Sequence, residues 1–95
     1  MKIPKTLKIC GLDYKIKFEK NMHAVDGLAG EHLTNTQIIR LQKDDYCQQR
    51  IEQVFIHELV HAIDVHFNNN SLEEEKVKRL GNGLYQVLKD NNLLK

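Results

Sequence analysis

The sequence of 95 residues has little of what marks a multidomain, exported or membrane-anchored protein. Its only proline is Pro4, and no repeat or low-complexity block divides it, so we expect a single domain over residues 1–95. No long apolar run follows the first lysines or occurs later, so we expect neither a signal peptide nor an anchor, and a cytoplasmic location. Its two cysteines, Cys10 and Cys47, lack metal-type spacing, and we expect free thiols rather than a disulfide.

An excess of charge of one sign is also missing. The chain has 14 basic and 13 acidic side chains, a formal net charge of +1. This balance gives no global preference for nucleic acid or membrane surfaces, and we expect neither as a partner. The first twenty residues carry six lysines, which could form a basic binding face. We favour a solvated, aggregation-resistant sheet surface instead.

Alternating apolar and polar residues predict strands in the first part of the chain. Apolar and polar side chains alternate between Leu7 and Lys20, with a turn at residues 11–13. A further apolar group predicts a strand near residues 37–42.

Two helices are predicted to follow these strands. Asp44 or Asp45 can cap a first helix that continues to about Phe67. Ser71 opens a second helix, with Glu74 at the capping-box offset. Strands followed by two helices predict an α+β fold: a small, mostly antiparallel sheet of three or four strands, then a helical pair.

The first predicted helix contains the motif H-E-x-x-H, residues His57 to His61. Its two histidines lie about 40° apart on one helical face, one turn from each other, so both imidazoles can reach a single ion. Zinc binds neutral imidazole, and a catalytic zinc site has three protein ligands and a water molecule. Glu58 is rotated by about 100° and is positioned to act as a general base on that water. Random order of the same residues would give the motif in roughly two sequences in a hundred.

Apolar residues surround the motif on nearly every side, which predicts a buried central helix. They are Phe55, Ile56, Leu59, Val60, Ala62, Ile63 and Val65. Burying two imidazoles and a carboxylate is costly unless a cation satisfies them. The alternative is a pair of core histidines that hydrogen-bond to backbone or to Asp64.

The sequence offers five candidates for a third metal ligand: Asp64, His66, Glu73, Glu74 and Glu75. Asp64 suits a supporting role, in which it holds the tautomer of an imidazole. His66 points to the opposite side of the first helix, and Glu75 is turned away from the apolar stripe of the second. Glu73 and Glu74 stay open, and Glu74 could instead fold back onto the helix start as part of a capping box.

Gly81 lies inside the second predicted helix, on its apolar stripe with Val77, Leu84 and Leu88. A glycine there costs about 1 kcal/mol relative to alanine, so we expect a packing reason. Without a side chain, the second helix can approach the first and bring a carboxylate to the histidines. A local helix break around residues 81–83 is the alternative.

Residues 28–92, with these motifs, resemble a minimal zincin of the gluzincin type. They are similar to the ImmA/IrrE-type metallopeptidases and to small phage-encoded HExxH proteins. In those families HExxH is followed by ExxAN on the next helix. Here the second motif is E-E-K-V-K at residues 74–78, in which Val77 and Lys78 replace the usual Ala and Asn.

The resemblance implies a zincin-like fold in which His57, His61 and Glu74 bind Zn²⁺ and Glu58 is the catalytic base. It also implies that an extended substrate pairs with an edge strand within residues 28–33. The donor to the developing oxyanion stays open among four candidates: His23, His32, Tyr46 and Tyr85.

The sequence therefore predicts a zinc-dependent metallo-endopeptidase acting on a protein or peptide, such as a regulatory protein. The alternative is a non-catalytic zincin-like module, encoded by a phage or mobile element, that binds a host protein. A third hypothesis is a metal-free α+β domain with core histidines.

Overall fold

The described residues form four strands followed by two helices, as the sequence predicts. The computed structural model describes residues 1–23 and 27–93. The elements are β1 (Thr6–Ile9), β2 (Leu12–Glu19), β3 (Gly30–Leu33), β4 (Ile38–Gln42), α1 (Gln48–Phe67) and α2 (Glu74–Asp90). Neither of these helices combines the length and the apolar character that crossing a bilayer requires.

The four strands form one mixed sheet in the order β1-β2-β4-β3. The pairs β1–β2 and β3–β4 are antiparallel, while β2 and β4 run parallel. The first hairpin turns at Cys10 and Gly11, which adopt positive φ values of 54° and 74°. In this order β3 lies at one edge of the described sheet, next to α1.

One face of the sheet forms the core with α1. Tyr14 and Ile16 on β2 are buried, and they alternate with the exposed Lys15 and Lys17, because successive strand residues point to opposite faces. The inner residues of the sheet form one apolar cluster with buried residues of α1, among them Ile51, Val54, Phe55, Ile56 and Ala62. This packing holds α1 against the strands.

The other face of the sheet carries charges of both signs. Arg40 forms ion pairs with Glu19 and Glu31, and Lys8 pairs with Asp13 at 2.7 Å. Basic residues are thus interleaved with acidic ones. This mixture is typical of a solvated sheet surface.

The prediction that α1 is buried on all sides is wrong in part. The sheet covers one side of the helix and α2 covers another. Ile63 and Phe67, near the end of α1, are exposed, Phe67 by 66%. On α2, Val77 and Gly81 are buried as the apolar stripe predicts, but Leu84 is exposed and Tyr85 is buried in its place.

The predicted start of α1 is also wrong. The helix begins at Gln48, after Cys47 as N-cap, and no side chain described here caps it. Asp45 has a positive φ of 65° in the preceding turn, and the Asp44 carboxylate accepts a hydrogen bond from the backbone N–H of Asn21. Both aspartates therefore belong to the connection from the sheet.

The capping box predicted at Ser71 does not form. α2 begins at Glu74, with Glu73 as N-cap and no side-chain cap hydrogen bond. The Ser71 hydroxyl instead donates to the carbonyl of Asn68, within the turn that ends α1. Glu74 is consequently free of the capping role that the sequence left open for it.

Gly81 lets α2 approach α1 closely beside the H-E-x-x-H motif. A Cβ atom at this position would lie 3.3 Å from the Cα atom of His57. The helix continues without a break through Gly83, where an added Cβ would meet nothing within 4 Å. The packing reason expected for Gly81 is therefore present, and the alternative of a helix break is wrong.

The two glycines form a matched pair for a stability test. Gly83→Ala should raise the free energy of unfolding by about 0.5–1 kcal/mol, because alanine has the higher helix propensity and the position is open. Gly81→Ala should lower the free energy of unfolding below the wild-type value, because the added methyl group presses on the backbone of His57 and outweighs the gain in helix propensity. Urea denaturation of both variants measures the difference. Equal stabilisation by the two substitutions would show that the helices are not in close contact at Gly81.

Candidate metal site

Two imidazoles and one carboxylate meet where α1 faces α2. His57 Nε2 lies 2.7 Å from Glu74 Oε1, and His61 Nε2 lies 2.9 Å from Glu74 Oε2. The two half-buried imidazole rings meet edge to face, with centroids 4.9 Å apart. The spacing of one helical turn brings the two rings together, and the start of α2 supplies the carboxylate.

The position of Glu74 follows from the loop between the helices. The buried Asp64 carboxylate accepts hydrogen bonds from the Asn68 side chain and from the backbone N–H groups of Ser71 and Leu72. These bonds fix the chain two residues before α2 begins. Glu74 is then the first residue of α2, where the free N–H groups and the helix dipole favour a carboxylate.

Asp64 therefore has a different role from the one predicted for it. Its carboxylate holds the loop and does not hold an imidazole tautomer. Two further candidates for the third metal ligand, Glu75 and His66, have other partners. Glu75 pairs with Arg79 at 3.2 Å, and the imidazole of His66 contacts Tyr14 on the sheet side. Of the described carboxylates, Glu74 is the one that contacts both imidazoles of the motif.

Glu58 is the buried acid beside this cluster. Its side chain packs against β3, where a Cβ atom at Gly30 would lie 3.2 Å from Glu58 Cγ and 2.5 Å from Val54 Cγ1. Gly30 therefore allows the edge strand to lie directly on the helix. No local sequence pattern reveals this role of Gly30, because its contacts are with residues far along the chain.

One potential ligand atom from each of His57, Glu58 and His61 lies within 4.8 Å of the other two, so this group could hold a metal ion. Burial, together with the nearby carboxylates of Glu74 and Glu31, raises the pKa of Glu58 to about 7. Burial also lowers the pKa of His57, although Glu74 partly opposes that effect. Both effects favour neutral side chains, and a neutral imidazole is the form that binds metal.

Two open clefts of about 270 and 420 Å³ flank the cluster. Both are lined by Gly30, His57, Glu58 and Glu74, so the cluster lies between them. Arg50, Lys78 and Asn82 also line the smaller cleft, and Glu31, His32 and His61 also line the larger one. The edge strand β3 contributes to the wall of each cleft.

Of the four side chains considered as oxyanion donors, His32 is the one that lines a cleft beside the cluster. The Tyr85 hydroxyl donates to the buried carboxylate of Glu52 at 2.6 Å, and Tyr85 lines neither cleft. Tyr46 and His23 line neither cleft. The sequence could not separate these candidates, because each reaches its place through packing between distant segments.

The described fold and site define a small α+β protein whose central helix presents a His-Glu-His group able to hold a metal ion. Comparisons with known protein families, with curated proteins and with solved structures found no match for this chain.

The raised pKa of Glu58 predicts a specific pH dependence for the metal-free protein. An acid with a pKa of 4.5 when unfolded and about 7 when folded binds more protons in the folded state. Its contribution to stability is therefore greatest at low pH and is lost as the pH rises from about 4.5 to about 7. Glu58→Gln removes this loss, so the variant should exceed the wild type by roughly 1–3 kcal/mol at about pH 8 and match it more closely at about pH 5.

Urea denaturation in the presence of a chelator, at both pH values, measures this effect. Comparing the two proteins at each pH cancels the titration of the groups that do not interact with Glu58. The same stability difference at both pH values would contradict a raised pKa for Glu58.

Proposed function

We propose that this chain is a zinc-dependent metallo-endopeptidase, with His57, His61 and Glu74 as the metal ligands and Glu58 as the general base. The observation that carries the proposal is the convergence of both imidazole Nε2 atoms on one carboxylate, at 2.7 and 2.9 Å. The buried Glu58 beside them supplies the second chemical group that peptide hydrolysis requires.

The donor set fits zinc. Two imidazoles and a carboxylate are ligands that Zn²⁺ accepts, whereas Mg²⁺ and Ca²⁺ prefer oxygen ligands alone. In the contacts with Glu74, each imidazole donates its Nε2–H to a carboxylate oxygen. A divalent cation would take the place of those two protons. When bound, zinc supplies Lewis acidity toward a carbonyl oxygen and lowers the pKa of a water molecule.

Glu58 and Glu74 are suited to different roles by their surroundings. Glu74 is 68% exposed at a helix N-terminus, an environment that suits an ionised ligand. Glu58 is 7% exposed, and its pKa of about 7 lies near that of an effective acid–base group at neutral pH. A nearby cation favours the ionised form of Glu58. Its carboxylate then accepts a proton from the attacking water and later donates a proton to the leaving amine.

The edge strand β3 offers a docking site for the substrate. An extended peptide that pairs with residues Gly30–Leu33 would add a strand to the sheet and run across the two clefts. Because Gly30 lies against the Glu58 side chain, such a peptide would pass close to the general base. We therefore propose a protein or peptide bound in extended form as the substrate.

A second candidate function is a non-catalytic module that binds another protein. It is favoured by the apolar side chains exposed on α2, where Leu80 is 55% exposed and Leu84 and Val87 are exposed beside it. Exposed apolar surface of this kind is a common feature of protein interfaces. In that case the metal site would serve stability alone.

Zinc binding can be tested with a matched set of glutamates. Untagged wild-type protein should bind one zinc ion, and Glu74→Gln should weaken binding by more than about 100-fold, because it removes a ligand. Glu73→Gln and Glu75→Gln should bind as the wild type does, since those side chains do not contact the imidazoles. Competition with a chromophoric chelator measures each affinity. Equally weak binding by the wild type and His57→Ala would exclude the zinc site.

Catalysis is tested separately through Glu58. Glu58→Gln keeps the size of the side chain but removes the base, so cleavage should fall by about 10²- to 10⁴-fold while zinc content is unchanged. Incubation with a diverse peptide mixture, followed by mass spectrometry, detects cleavage at any peptide bond that the protein accepts. Cleavage at the wild-type rate by this variant would rule out Glu58 as the base. Zinc binding without cleavage by the wild type would favour the binding module.

A further inference from the structure

A second histidine cluster lies on the sheet side of α1. The Tyr14 hydroxyl is 2.9 Å from His32 Nε2 and 2.6 Å from His66 Nε2. Tyr14 is 0% exposed, and its ring stacks on His32 and meets the edge of His66. The three side chains come from β2, β3 and α1, so three elements of the fold converge on one hydroxyl group.

The proton count of the hydroxyl limits how this cluster can be bonded. A tyrosine hydroxyl carries one hydrogen, so with both imidazoles neutral one of them accepts it and the other donates its own Nε2–H to the oxygen. If one of the two imidazoles carries an added proton, it donates to the Tyr14 oxygen and the neutral imidazole accepts the Tyr14 hydrogen, whichever of the two is the cation. Two added protons would leave the buried hydrogen of Tyr14 without an acceptor, which is costly. The cluster of Tyr14, His32 and His66 therefore carries at most one extra proton. That proton can move from one imidazole to the other through the Tyr14 hydroxyl.

The hydrogen-bonded series His66–Tyr14–His32 ends in the larger cleft of the proposed active site. His32 lines that cleft together with Glu31, Glu58 and Glu74. Its Nδ1 atom has no hydrogen-bond partner in the part of the chain that the structure describes, so this nitrogen is available to a bound molecule. The carboxylates of Glu58 and Glu74 in this cleft favour an N–H donor over a lone pair at Nδ1. The direction that follows is His66 to Tyr14, Tyr14 to His32, and His32 Nδ1–H to the cleft.

We propose that His32 is the hydrogen-bond and proton donor to the substrate in this cleft, held in its donor form by Tyr14 and His66. This inference rests on the proposed function and adds a residue to it. Tyr14 and His66 are positioning residues, because they act through His32.

The proton transfer balances when His66 starts as a cation. His32 gives its Nδ1 proton to the substrate, Tyr14 gives its hydrogen to His32 Nε2, and His66 gives its Nε2 proton to Tyr14. His66 ends neutral with its proton on Nδ1, and His32 ends neutral with its proton on Nε2. One proton has then moved from His66 to the substrate.

The charges around His32 agree with this division of roles. Burial lowers the pKa of His32, and the neighbouring His66 and His61 lower it further. A lowered pKa favours the neutral form of His32, in which Nε2 can accept the hydrogen of the Tyr14 hydroxyl. The titratable and charged groups facing His32 are Tyr14 from β2, His61 and His66 from α1, and the cleft carboxylates Glu31, Glu58 and Glu74.

Long-range proton–nitrogen NMR of histidine-labelled protein reads which ring nitrogen carries hydrogen, with or without zinc and without any substrate. We expect His32 to be protonated on Nδ1 at neutral pH, and this preference to be lost in Tyr14→Phe and in His66→Leu, which has no hydrogen-bond donor. The second variant decides the matter if the first does not fold. Protonation of wild-type His32 mainly on Nε2 would overturn the proposed direction of hydrogen bonding from His66 through Tyr14 to His32.

Kinetics then test the role of His32 in cleavage. His32→Ala should lower kcat by about 100-fold with little change in KM or zinc affinity, and Tyr14→Phe and His66→Leu should lower kcat less. His23→Ala is the matched control, because His23 lines neither cleft. An unchanged kcat in His32→Ala would overturn the donor role. If no peptide is cleaved, the proposed function fails while the NMR result still decides the direction of hydrogen bonding.

Discussion

The contact between Glu74 and the two imidazoles of α1 is the interaction on which the rest of the site depends. It forms because Gly81 lets α2 lie against the backbone of His57 and because the Asp64 carboxylate fixes the loop before α2. Without it, two half-buried imidazoles would face each other with no acceptor, at a cost in free energy. The same contact defines the place where a cation would be held.

The sheet shapes the other side of the site. β3 lies at the sheet edge and has glycine where it meets α1, so Glu58 is covered by backbone rather than by a side chain. Two glutamates near the same imidazoles thus have opposite environments, one exposed at a helix N-terminus and one buried. Such a difference is how one site can hold both a ligand and an acid–base group.

The helix ends show where local pattern ceases to be informative. Periodicity predicted both helices and the end of the first at Phe67, because the apolar spacing of a helix is a local property. The caps were predicted wrongly at Asp44, Asp45 and Ser71. The side chains of Asp44 and Ser71 bond to connecting segments instead, and Asp45 lies in the turn before α1 with a positive φ. Likewise the buried stripe of α2 includes Tyr85, whose hydroxyl has a buried partner on α1 that no local pattern reveals.

The sequence by itself determined the order of strands and helices and the pairing of His57 with His61, because helix geometry fixes the angle between residues one turn apart. Only the tertiary structure decided which glutamate meets them. Glu74 is 17 residues from His57 along the chain, and its approach depends on the loop and on how closely the helices pack. The meeting of Tyr14 with His32 and His66, 18 and 52 residues away, is also a product of folding. Spacing along a chain constrains side chains within one element, whereas contacts between elements depend on the packing of the whole core.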